Sequence, residues 1–210
     1  MTGLIGIAAV AIVAWFAAGT IWNVRKGREL MRWMQGGGSD AGLRVIGDRT
    51  TVRWLGSTAV ELVIDQGKAE FARAAIVIFL EPRDLPWWPI SRSRGRRDTL
   101  ILRGTLRRAP GFELEIVDPA SWSGRDALPR IPREWQVRDG NPRIHHGSAA
   151  ALERAEALLV LAERAGMKVA RLSVRRAEPH FQLHVGLPDR RQSARGFFEA
   201  VQALAERALA

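Results

Sequence analysis

GLIGIAAVAIVAWFAAGTIW, residues Gly3–Trp22, contains no ionisable side chain; the first one in the chain is Arg25. About twenty residues at ~1.5 Å rise make a helix of roughly 30 Å, the thickness of a bilayer's hydrocarbon layer. A helix buried in a soluble core normally keeps a polar stripe. Here Thr20 is the one polar side chain, near the edge of the run. A cleaved signal peptide would carry a basic residue ahead of its apolar stretch, and Met1-Thr2 supplies none. Ala17-Ala18-Gly19 would pass as a small-x-small site, but Ile21, Trp22 and a basic cluster follow at once. The stretch therefore reads as an uncleaved transmembrane helix. No second apolar run of that length follows, so a single-pass protein is expected.

The flanks set the expected orientation. Arg25, Lys26, Arg28 and Arg32 follow the span, and only the α-amino group precedes it. Basic residues are retained on the cytoplasmic side. The N-terminus is expected outside the inner (cell) membrane and the remaining chain in the cytoplasm. Trp15 lies within the span, and Trp22 falls where an interfacial aromatic anchor belongs. These six side chains make up the expected membrane anchor, the basic ones reaching lipid phosphates by snorkelling.

The 210-residue chain has a formal net charge of +10 and no cysteine. Disulfides, thiol catalysis and cysteine-based zinc sites are excluded. A basic domain beside a membrane points to anionic lipid or nucleic acid as a partner. Composition offers a plainer reason: lysine occurs only at 26, 68 and 168, and abundant Arg, Ala and Gly fit a GC-rich coding bias.

Asn23 to Gln35 is expected to prolong the first helix, and Gly36-Gly37-Gly38-Ser39-Asp40 to stop it, since each glycine costs a helix about 1 kcal/mol relative to Ala. This gives an anchor and juxtamembrane helix over 1–35 and a glycine-rich tether over 36–42. From Leu43 the apolar period becomes two. Leu43–Ile46, Thr51–Leu55 and Ala59–Asp65 read as short strands, 71–80 as a central buried one, and Asp98–Leu106 and Phe112–Val117 as two more. In the last, Glu113 and Glu115 are expected on a solvated face. Residues 43–132 thus form a mostly antiparallel β region, ending in a Pro-, Ser- and Gly-rich connector from Asp118, and a short strand is expected near Glu134–Arg138.

Residues 133–210 read as helix, strand, strand, helix. Ser148 caps a helix over Ala149–Ala165, which Gly166 ends. Strands follow at Lys168–Arg175 and His180–Leu187. Asp189 and Gln192 have capping-box spacing before a final helix with Phe197, Val201 and Leu204 on one face. The class is α+β, and whether 43–132 and 133–210 share one core is left open.

The most distinctive stretch beyond the span is EPRDLPWWPISRSRGRRDTLILRGTLRR, Glu81–Arg108. Pro82, Pro86 and Pro89 are expected to keep the region of Trp87 and Trp88 irregular. Indole prefers an interface with one wet end, and Arg92, Arg94, Arg96 and Arg97 come next. Aromatics beside clustered arginine suit a headgroup layer, and Trp87, Trp88, Arg92, Arg94, Arg96 and Arg97 are the expected membrane or partner contact. A packed Trp pair beside a solvated basic hairpin would have the same composition.

His145 and His146 are placed in a loop. His180 and His184 lie two pleats apart, roughly 13 Å at ~3.3 Å per residue, too far to share an ion, and are expected to face solvent. No nucleophile elbow, zinc-protease motif, P-loop or dinucleotide fingerprint occurs. No metal, cofactor or catalytic residue is expected. Recognisable nucleic-acid modules are absent too, so nucleic acid is not a favoured partner. Ala14 and Ala18 permit close helix packing, which leaves a homo-oligomer open. The expected role is non-catalytic: binding or scaffolding an unidentified protein partner at an anionic membrane surface. The alternative is a membrane-tethered enzyme with no recognisable motif.

Overall fold

A computed structural model describes residues 2–36 and 41–210. Its first element, α1 (Thr2–Gln35), is one unbroken helix, long and apolar enough to cross a membrane. Residues 3–18 are exposed along their whole length. The chain is α+β, as expected: the long apolar helix leads into a nine-stranded, wholly antiparallel sheet with helices packed on it.

The elements after α1 are α2 (Leu43–Ile46), β1 (Thr50–Leu55), β2 (Ala59–Ile64), β3 (Phe71–Phe79), α3 (Trp88–Ser93), β4 (Thr99–Leu106), β5 (Leu114–Val117), α4 (Trp122–Ala127), β6 (Gln136–Arg138), β7 (Arg143–His146), α5 (Ala149–Arg164), β8 (Val169–Val174), β9 (Phe181–Gly186) and α6 (Ala194–Leu209). A 3₁₀ turn, Leu128–Arg130, follows α4. The sheet order is β1-β2-β3-β4-β9-β8-β5-β7-β6. The C-terminal hairpin β8–β9 thus sits in the middle, between β4 and β5, and strands from both halves of the chain share one sheet.

Period-two patterning explains the layers. Leu62, Ile76, Leu102, Leu183, Leu172 and Ile116 are paired in register across six strands, and all are fully buried. They meet Ala155, Leu158 and Ala162 of α5, and Phe198, Val201 and Leu204 of α6, in a single core. Ser148 caps α5 by accepting the Ala151 N–H at 3.2 Å. Gly166, at φ +67, ends it in the left-handed conformation a glycine adopts without strain.

The C-terminal part of α1 belongs to the same core. Leu30, Met31 and Met34 are buried in it, and Trp33 packs edge-on against Phe197 with ring centroids 5.8 Å apart. The helix that begins in the apolar run therefore ends inside the domain. Of the tether expected over 36–42, residues 37–40 lie outside the described residues.

Several local expectations are corrected. Leu43–Ile46 is a helical turn, not a strand. Leu43 and Ile46 are both buried, and a spacing of three residues places them on the same side of a helix. The Asp118 connector contains α4, whose N-cap Ser121 accepts the Gly124 N–H at 2.9 Å. Ser193, not Asp189, caps α6, accepting the Gly196 N–H at 3.3 Å. Asp189 makes a turn just before it, its carbonyl accepting the Gln192 N–H. His145 and His146 lie on β7 rather than in a loop.

The expected solvated face of β5 and β9 is the largest correction. Glu115 is fully buried, and His180 and His184 are buried as well. The sheet's second face is partly covered: Val117 packs with Ala127 and Ile131 of the α4 region. Arg171 and Arg175 pair with its two oxygens there, and Ser173 Oγ donates to Oε2 at 2.8 Å. Buried carboxylates persist only with such compensation.

Candidate membrane-facing surface

Where α1 leaves the domain, it does so against the Glu81–Asp98 stretch. The contact begins at Gly19, where an added Cβ would stand 2.4 Å from the Arg83 carbonyl oxygen. One turn later Asn23, fully buried, donates from Nδ2 to the Glu81 carbonyl at 3.1 Å. Arg83 Nη1 returns to Asn23 Oδ1 at 3.2 Å.

Asp98 is the hub of this contact. Its Oδ2 accepts from Lys26 Nζ at 2.6 Å and from Arg83 Nη2 at 2.7 Å. Its Oδ1 accepts from the Glu81 N–H at 2.6 Å and from Arg83 Nη1 at 3.0 Å. Burial alone would push the Asp98 carboxyl up. The hydrogen bonds from Arg83, Lys26 and Glu81, with the Lys26 charge, outweigh it and hold the group below its ordinary value. Further along, Glu29 pairs with Arg190, and Trp33 Nε1 donates to the Gln192 carbonyl at 2.9 Å.

The Trp-Trp stretch is ordered in a way the prolines did not suggest. Residues Trp88–Ser93 form helix α3, with Pro89 in its first turn, where the missing N–H removes no helical hydrogen bond. Trp88 is half-buried. Its Nε1 donates to Glu81 Oε2, and the Arg92 guanidinium lies over its ring at 5.8 Å from the centroid. Trp87 and Ile90 are each 56 % exposed. Between α3 and α1 runs a cleft of about 440 Å³, lined by Trp15, Ala18, Trp22, Lys26, Trp88 and Arg92 among others. Trp22 is 62 % exposed beside it. The structure thus gathers Trp15 and Trp22 of α1 and Trp88 and Arg92 of α3 around one cleft.

The expected arginines divide. Arg25, Arg28 and Arg32 are exposed on α1, whereas Lys26 is spent on Asp98. Arg92 pairs with Glu81 at 3.3 Å. Arg96 stacks on Trp122 at 5.9 Å, and Arg97 Nη1 donates to the carbonyls of Arg92 and Arg96. Arg94 is exposed, and its carbonyl accepts from Arg125. Much of the cluster therefore braces α3 and the β4 approach. Sequence reasoning missed Asn23, Arg83 and Asp98 altogether; an Asn directly after an uncharged apolar run was the one available signal. A scan against models of known protein families finds no match, and a search of curated proteins finds no relative at significant similarity.

Proposed function

We propose that the protein is a single-pass membrane protein whose domain is held rigidly against the cytoplasmic headgroup layer and acts there as a non-catalytic binding module. The observation that carries the reading is the cleft that Trp88 and Arg92 of α3 share with Trp15 and Trp22 of the apolar helix, with Trp87 and Ile90 exposed on the same segment. Gly19, where the domain first touches α1, lies about one turn before Trp22, the residue expected at the interface. The segment in contact with Gly19 would then sit in the interfacial zone. That segment is the one that carries Trp87 and Ile90, and indole and aliphatic groups favour that depth. Arg25, Arg28 and Arg32, exposed just beyond, would meet anionic headgroups, each contributing about 1 kcal/mol. The same excess of positive charge supports a cytoplasmic domain. The far face of the sheet is then turned to the cytoplasm, where a protein partner would be met.

The absence of cysteine permits a direct test. Single cysteines at Trp87 and, as a control, at exposed Val137 on β6 would carry an environment-sensitive dye in the full chain reconstituted in nanodiscs. The dye at 87 is expected to shift to the blue and to be quenched by spin-labelled acyl chains, and the dye at 137 to do neither. Equal exposure of both dyes to water would rule the placement out. A reporter joined after Ala210 is expected to be active only in the cytoplasm.

A further inference from the structure

The sheet face turned away from α1 carries a second cleft, of about 310 Å³, between the central strands and α4. Arg103 of β4, His184 and Gln182 of β9 and Arg171 of β8 line it. Pairing explains why they meet. Ile101 and Arg171 are the cross-strand partners of His184, and Arg103 that of Gln182, so these polar side chains share one face of three adjacent strands.

Their hydrogen-bonding capacity is mostly unspent. Arg171 gives its Nε–H to Glu115, which fixes the guanidinium plane, and neither Nη has a partner among the described residues. Arg103 is exposed and makes no hydrogen bond or ion pair among them. His184 is 4 % exposed, and its Nε2 lies 2.7 Å from the Gln182 amide nitrogen. With Gln182 donating to Nε2, the ring proton sits on Nδ1, a buried atom with no partner. Burial, reinforced by the charges of Arg171 and Arg103, lowers the His184 pKa to about 3 and keeps the ring neutral. The Arg103 guanidinium, the two Nη groups of Arg171 and the His184 Nδ1–H are thus donors left without an acceptor among the described residues, on side chains that line one cleft. Asp126, the one carboxylate lining the cleft, is paired with Arg130 at 3.2 Å. Phe79 and the half-exposed indole of Trp122 supply flat apolar walls.

We propose that this cleft binds a small soluble phosphate monoester, its phosphate taken by Arg103, Arg171 and His184 and its organic part laid against Trp122 and Phe79. A tetrahedral dianion offers oxygens in several directions, which suits donors arriving from three strands better than a flat carboxylate does.

The test uses the full chain in phosphatidylcholine nanodiscs, titrated with inorganic phosphate, adenosine monophosphate and acetate. The readout is the imidazole nitrogen resonance of His184, one of only four histidines. Saturable shifts with both phosphates are expected, tighter for the nucleotide, and Arg103→Gln should weaken both about tenfold or more. Arg103 has no partner among the described residues, so this variant should fold, and unchanged resonances of the other histidines would verify that. Trp122→Ala should weaken the nucleotide and leave inorganic phosphate unaffected. No saturable shift up to about 10 mM, or equal affinity in Arg103→Gln, would overturn the site. Acetate binding as tightly as phosphate would overturn the ligand class. A shift of His184 produced by phosphatidylglycerol nanodiscs alone would overturn the soluble ligand in favour of lipid.

Discussion

Gly19 and Arg83 meet backbone to backbone: a Cβ added to Gly19 would stand 2.4 Å from the Arg83 carbonyl oxygen. Only glycine lets the apolar helix approach the domain so closely at this point, and the contact involves rigid main chain on both sides. The angle at which α1 leaves the domain is therefore set by packing, and so is the position of α3 beside it.

Gly19→Val should force the two apart. Overpacking of this kind costs about 1–3 kcal/mol, which for a domain of this size corresponds to a Tm lower by about 2–12 °C. Gly3→Ala and Gly6→Ala meet no atom within 4 Å and should leave the Tm unchanged. Thermal unfolding followed by circular dichroism distinguishes the three.

Asp98→Asn should loosen α1 more severely. The change leaves Lys26 and Arg83 without their shared counter-charge in a half-buried site, and breaking a buried pair costs about 3–5 kcal/mol, less where water still reaches the cations. Acid should act in the same direction. Because the Asp98 pKa is depressed in the fold, its contribution is complete above the ordinary value of 3.8 and is lost as pH falls below it. A distance measured between spin labels on α1 and on α6 should lengthen in that range. A distance that does not change below pH 3.8 would contradict the assigned role of Asp98.

Glu115→Gln should be among the most damaging single changes on the sheet. An amide there leaves Arg171 and Arg175 facing each other with no charge between them. A loss of about 3–5 kcal/mol is expected in denaturant unfolding. A loss below about 1 kcal/mol would show that the carboxylate is not buried as described.

His184 should make the protein sensitive to mild acid. Its pKa falls from an ordinary 6.5 to about 3 on folding, so between those values the unfolded chain binds more protons than the folded one. The contribution is complete above pH 6.5 and declines as pH falls towards 3, by up to about 1.4 kcal/mol per pH unit. Urea unfolding across that interval should show the slope, and His184→Gln should flatten it. Identical slopes in the two proteins would remove His184 as the cause.

Strong periodicity made the larger elements legible. AAIVIFL within 71–80 is apolar on both faces, and β3 is indeed buried between β2 and β4. Ser148 and Gly166 marked the ends of α5 because a side-chain acceptor and a left-handed residue are local requirements. Short segments were not legible in this way. Four residues such as Leu43–Ile46 satisfy a strand template and a helix template equally well, and α3 starts in a proline-rich stretch that reads as a loop until its first turn is seen.

The polar residues show a different limit. Alternation placed Glu115 and His184 opposite the core correctly, but it could not reveal what covered that side. Burial of Glu115 depends on Arg171 and Arg175, 56 and 60 residues away, and on the register of β5 against β8. Lys26 looked like one more cation of a juxtamembrane cluster because its partner, Asp98, is 72 residues distant.

The sequence alone determined that an uncharged run of bilayer length precedes an α+β domain, because hydropathy and period are properties of consecutive residues. Only the tertiary structure decided that the end of that helix is part of the domain's core, that β8–β9 fills the centre of the sheet, and that Trp88 and Arg92 share a cleft with Trp22. Those relationships join residues far apart in the chain, and the energies that select them, close packing at Gly19 and charge pairing at Asp98, exist only after the segments have met.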